Sequence, residues 1–117
     1  MLSIRRLWLF FVDLFNTHKQ GKQLQIKILE ESPELHENSV IYLIGDNDNY
    51  WFAEMACPCK CGEIIKLKLF GNSPAWSATI HKNNLITLSP SVWRTIGCRS
   101  HFFVKHSHIH WAKDFSE

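Results

Sequence analysis

At 117 residues the chain has the size of one domain, which argues against a two-lobed enzyme with a deep cleft between its halves. A hydrophobic fraction of 45%, with five Trp and eight Phe, is enough for a compact core. The net charge is only +2, and the thirteen Lys and Arg are scattered, which speaks against the basic stripe of a nucleic-acid binder.

Residues 1–20 carry an amphipathic pattern in which Ile4, Leu7, Trp8, Phe11, Leu14 and Phe15 recur at helical spacing, predicting one N-terminal α-helix. Arg5 and Arg6 ahead of an apolar run imitate a signal peptide. However, Asp13 interrupts the run, no small-residue cleavage site follows, and it falls far short of the ~20 apolar residues that span a bilayer. No transmembrane segment is expected; the helix caps the core or docks on a membrane surface or a partner.

From Leu24 the pattern turns to β, predicting a domain of antiparallel hairpins over 24–112 within a single domain of 1–117. Leu24, Ile26 and Ile28 alternate with polar residues as a half-buried strand, and the acidic 30–38 segment with Pro33 reads as a loop. Val40 to Ile44 and Tyr50 to Ala56 form a hairpin around Gly45-Asp46-Asn47-Asp48-Asn49. Ile65, Leu67 and Leu69 alternate with lysines as another strand. Residues 76–81 and 85–88 are joined by Lys82-Asn83-Asn84, where Asn tolerates positive φ. Ser89-Pro90-Ser91-Val92-Trp93 reads as a structured loop, because proline donates no ladder hydrogen bond. Ser100 to Lys105 and Ile109 to Trp111 form a last hairpin turning at 106–108. Trp51, Trp76, Trp93 and Trp111 are expected in the core or around a metal, with a peptide-binding groove as the alternative.

Cys57-Pro58-Cys59-Lys60-Cys61-Gly62 sets three thiols two residues apart, a spacing poor for disulfides and good for metal ligation. This predicts a reducing, cytoplasmic setting and a structural zinc. Cys98 supplies the fourth ligand from a distant segment; His101, in Cys98-x-x-His101, is the alternative, and buried free thiols are the plain one. Four thiolates leave the metal no open position for water, so chemistry must come from elsewhere. His106, His108 and His110 suggest a second metal site only if they share a strand face, which a turn at 106–108 would break.

The run from Ala53 to Trp111 resembles a bacterial family of zinc-binding domains encoded beside genes for ubiquitin-like modifiers and their conjugating enzymes. The resemblance rests on Cys57-Pro-Cys-Lys-Cys-Gly62, Thr87-Leu-Ser-Pro-Ser-Val-Trp93, Gly97-Cys-Arg-Ser-His-Phe102 and the final Ile109 and Trp111. It implies a zinc-bound β domain in a bacterial ubiquitination-like pathway, with a ubiquitin-like protein, its conjugates or E1/E2-like enzymes as partners. It also implies serine-peptidase activity through Ser, His and Asp, and a place in antiphage defence. Two departures stand out: the family usually has Gly where this chain has Lys60 and Ser107. Since both exchanges disfavour positive φ, the knuckle and the last turn are expected to differ.

A serine nucleophile needs a base within hydrogen-bond reach and an acid to orient that base. Ser100 and His101 are adjacent, so on a strand they point to opposite faces. Ser91, presented after a proline, is the better partner for His101, with Ser100 retained if 98–101 is a turn. Asp46 is the favoured acid over Asp48, Asp13 and Asp114. The plain alternatives are a turn hydroxyl for Ser91, a core or ligand histidine for His101, and a turn carboxylate for Asp46. The sequence therefore supports either a peptidase that trims a ubiquitin-like precursor or its conjugates, or a non-catalytic zinc-binding adaptor of the same pathway.

Overall fold

The computed structural model describes residues 22–71 and 75–112, so the expected helix over 1–20 lies outside the described residues. Within them the protein is mostly β, with eight strands and no helix. One sheet holds β1 (Gln25–Leu29), β2 (Val40–Asp46), β3 (Asn49–Ala56) and β4 (Ile64–Lys68), in that order. The other holds β5 (Ser77–Ile80), β6 (Ile86–Trp93), β7 (His101–Lys105) and β8 (His108–Trp111), also in chain order.

The two sheets pack face to face because their strands alternate. On β4, Ile65 and Leu67 are buried and Lys66 is exposed; on β7, Phe102 and Val104 are buried while Phe103 and Lys105 face outward. Ile41, Leu43, Ala53, Met55, Ile65 and Leu67 from the first sheet meet Ile86, Leu88, Val92, Phe102, Val104 and Ile109 from the second in one core. Each large apolar side chain fully buried there contributes about 1.5–3 kcal/mol.

Strand β2 is buried on both faces. Its outer residues Val40, Tyr42 and Ile44 form a second cluster with Leu29 and Phe52. The 30–39 segment is anchored beside it: the Tyr42 hydroxyl accepts the Glu37 N–H at 2.9 Å, and His36 meets the Tyr42 ring edge-on at 5.3 Å. Buried Glu54 completes the anchor, accepting from Ser32 Oγ at 2.6 Å and His36 Nε2 at 2.7 Å.

Three expectations are corrected. β1 and β2 run parallel, from Gln25↔Val40 to Leu29↔Ile44, so the sheet is mixed and not built of antiparallel hairpins alone. The anchored 30–39 segment is the crossover that returns the chain to the same end of the sheet. Residues 89–93, expected as a loop, belong to β6. Pro90 is tolerated because pairing with β7 jumps from Leu88↔Val104 to Val92↔Phe102, so three residues on β6 oppose Phe103 alone. Finally, Lys60 and Ser107 adopt φ of 67° and 63° despite having side chains. The Ser107 hydroxyl accepts the Ile86 N–H at 2.9 Å, and its backbone bonds to Ile86 O and Leu24 N, which holds the turn in place.

Candidate active site and metal centre

The knuckle 57–62 follows directly on β3. Lys60 N–H returns to Cys57 O at 2.9 Å, Cys57 N–H donates to Glu63 O, and positive φ at Lys60 and Gly62 folds the three cysteines together. Cys98 arrives from the loop between β6 and β7, and the four Sγ atoms lie within 4.8 Å of one another. Cys57 Sγ is 3.4 Å from Cys59 Sγ and 3.6 Å from Cys98 Sγ. A tetrahedral zinc with Zn–S bonds of about 2.3 Å sets its sulfurs roughly 3.8 Å apart, so the donor set fits that ion. The cluster accounts for all four cysteines, and none forms a disulfide.

Ser100 belongs to this cluster. It is fully buried, and its Oγ lies 3.1 Å from Cys98 Sγ and 3.6 Å from Cys57 Sγ. Burial pushes the Cys57 thiol up to about 12. For Cys98 the burial effect is outweighed by hydrogen bonds from the Ser100 hydroxyl and backbone and by Cys59 and Cys57, so it is held down to about 6. The hydroxyl thus lies within hydrogen-bond reach of both sulfurs. Ser100, which the sequence left open as a nucleophile, is buried against the sulfurs.

One residue on, the chain points to the other face. His101 is on the outer surface of the second sheet, paired across the ladder with Trp93, and Ala112 N–H donates to His101 O at 3.0 Å. The irregular stretch of β6 brings Ser91 to it: Ser91 Oγ lies 3.0 Å from His101 Nε2. This is hydrogen-bond distance, with the direction set by the His101 tautomer. The Ser91 backbone is latched from behind, its carbonyl accepting Trp76 Nε1–H at 3.2 Å. His101 is therefore engaged with Ser91, and the four sulfurs converge without it, which disfavours the alternative of His101 as fourth ligand.

Asp46 ends β2 in the first sheet. It pairs with Asn49 at one end of β3, whereas Cys57, the neighbour of Ser100, follows the other end. Eight strand residues at about 3.3 Å each separate the two ends by roughly 25 Å. His106, His108 and His110 are likewise dispersed. His106 stacks on His81 at 4.2 Å, His108 Nδ1 bonds the His106 carbonyl, and His110 pairs with Phe103 further along β8. The tryptophans meet expectation in part: Trp76 packs against the core, and Trp111 lines a pocket with Cys57 and Lys60 and packs on Phe102. Trp51, Trp93 and Trp111 are substantially exposed, and Trp76 is the half-buried latch on Ser91.

A family model described as the bacterial ubiquitination-like system serine protease, BubE, matches residues 28–112. The chain belongs to the BubE family. The match covers the knuckle, the irregular stretch of β6, and β7, so the cysteine cluster and the Ser91–His101 pair both fall inside the BubE region. No curated protein and no solved structure matches the chain. Among the described residues, no helix is long and apolar enough to cross a membrane.

Proposed function

We propose that this BubE-family chain is a serine peptidase with Ser91 as nucleophile and His101 as general base, acting on a ubiquitin-like precursor or its conjugates. The 3.0 Å contact between Ser91 Oγ and His101 Nε2, inside the matched region, carries this reading. His101 takes the Ser91 proton as Oγ attacks the scissile carbonyl carbon. It then returns that proton to the leaving amine, and a water activated by the same nitrogen releases the acyl group from Ser91.

Cys57, Cys59, Cys61 and Cys98 would hold a structural zinc, whose chemistry is to fasten the 57–62 knuckle to the 94–100 loop and so fix the start of β7. Because His101 follows directly on Ser100, the placement of the base is tied to the order of that cluster. For the orienting acid we favour Asp114, which lies outside the described residues. It is two positions along the chain from Ala112, whose N–H binds His101 O.

The reading is tested with a ubiquitin-like protein of the same pathway carrying a C-terminal extension. The zinc-loaded protein should release the extension, seen as a new C-terminus by mass spectrometry, and Ser91→Ala should not. Release by Ser91→Ala at the wild-type rate would overturn the assignment. Binding without release by the folded wild type would instead support the adaptor alternative.

A further inference from the structure

One of the two tryptophans beside the Ser91–His101 pair is not in the core. Trp93 is 59% exposed, yet its indole lies flat on the His101 imidazole, with ring centroids 4.7 Å apart and an interplanar angle of 7°. The two residues are cross-strand partners on one face of the sheet, and Ser91 lies two positions before Trp93 on the same strand. Phe103 approaches the imidazole from along β7, at 5.9 Å and 31°. His101 therefore meets the hydroxyl at its edge and the indole on its face. A core role does not explain a tryptophan left mostly in water; packing against this one ring does.

We propose that Trp93 is a positioning residue for the peptidase reaction, keeping the His101 ring in the plane that presents Nε2 to Ser91 and stabilising it once it is protonated. The inference rests on the reading of Ser91 and His101 as nucleophile and base. A flat aromatic contact restricts rotation about the bond joining the ring to its side chain, which would otherwise swing Nε2 away from the hydroxyl. When Nε2 accepts the Ser91 proton the ring becomes a cation, and an aromatic face at this distance attracts a cation more strongly than a neutral ring. The first effect removes non-productive ring orientations, and the second is stronger in the transition state than at rest.

The test is the second-order rate constant for fluorophosphonate modification of Ser91 in the full, zinc-loaded chain, compared among wild type, Trp93→Phe and Trp93→Leu. Trp93→Leu, which keeps apolar bulk and loses the flat face, should react about 5–30-fold more slowly. Trp93→Phe, which keeps the face, should stay within about threefold of wild type. Melting temperature and zinc stoichiometry should not change, whereas a merely structural role would lower them together with the rate and would not be rescued by Phe. If Trp93→Leu loses zinc or unfolds, Trp93→Gln is measured in its place with the same expectation. Modification of Ser91 at the wild-type rate in the variant without an aromatic ring overturns the positioning role. A folded wild type that is never modified at Ser91 overturns the peptidase reading beneath it.

Discussion

Replacing Ser100 by Ala removes one oxygen from a fully buried position and leaves the backbone of the 98–101 segment unchanged. That oxygen is 3.1 Å from Cys98 Sγ and 3.6 Å from Cys57 Sγ, so the substitution strips the cluster of its nearest hydroxyl. Losing a hydrogen bond to a metal ligand typically costs 10–100-fold in metal affinity, or about 1.4–2.8 kcal/mol. Because metal binding is linked to folding, the loss should reappear in the stability of the zinc-loaded protein, on the order of 5–20 °C in melting temperature for a domain of this size. Zinc affinity is read by competition with a chromogenic chelator, and stability by circular dichroism with zinc in excess. At saturating zinc, Ser91 should still react with a fluorophosphonate, since Ser91 lies on the opposite face of the sheet. Unchanged zinc affinity would refute the donor role of Ser100. Loss of labelling in a folded, zinc-saturated Ser100→Ala would make Ser100 itself the candidate nucleophile.

Three further outcomes follow from the same geometry. Stripping the metal with a strong chelator should melt the domain and abolish Ser91 reactivity together, both returning on addition of zinc; reactivity that survives full stripping would uncouple the cluster from the pair. For Glu54, burial alone would raise the carboxyl, but hydrogen bonds from Ser32 and His36 and the nearby Lys66 hold it below its ordinary value of 4.5. A carboxyl depressed by folding adds stability that is present above its unfolded value and lost as pH falls through its folded value. Thermal stability should therefore decline on acidification below about pH 4.5, and Glu54→Gln should flatten that decline while costing about 1–3 kcal/mol at neutral pH. Asp46→Asn should leave the labelling rate of Ser91 unchanged, whereas Asp114→Asn should reduce it by about 10²-fold or more, as expected for removal of an orienting acid.

The sequence makes those parts of the fold legible whose signal is local. Ile65 and Leu67 against Lys66 reveal β4 because side chains alternate every residue, and Asn84 marks its turn through a backbone conformation, φ 64°, that few residues accept. The parallel pairing of β1 was hidden because Leu24, Ile26 and Ile28 alternate in the same way whichever direction the neighbour runs. That direction is set by the 30–39 crossover, held by Glu54, which lies 22 residues from Ser32 in sequence. Pro90 misled for a related reason. It rules out a regular central ladder, but it does not rule out a strand with two extra residues opposite Phe103.

The candidate site divides along the same line. Ser91 and His101 could be paired because opposite strand faces separate Ser100 from His101 and because Ser91 follows a proline that presents its hydroxyl; that 89–93 is a strand rather than a loop was not legible. The four-cysteine cluster was legible from spacing. Ser100 as a hydrogen-bond partner of the thiols was not, since nothing in its neighbours distinguishes a hydroxyl beside sulfur from one in solvent. Trp93 was expected in the core or around a metal, with a peptide-binding groove as the alternative; only the cross-strand register places it over His101.

The most direct test of the central claim is fluorophosphonate labelling of the purified, zinc-loaded protein, followed by intact mass and peptide mapping. One adduct per chain, on Ser91 and absent in His101→Ala, is the predicted result. An adduct on any other serine, or on Ser91 at an undiminished rate in His101→Ala, would contradict the account.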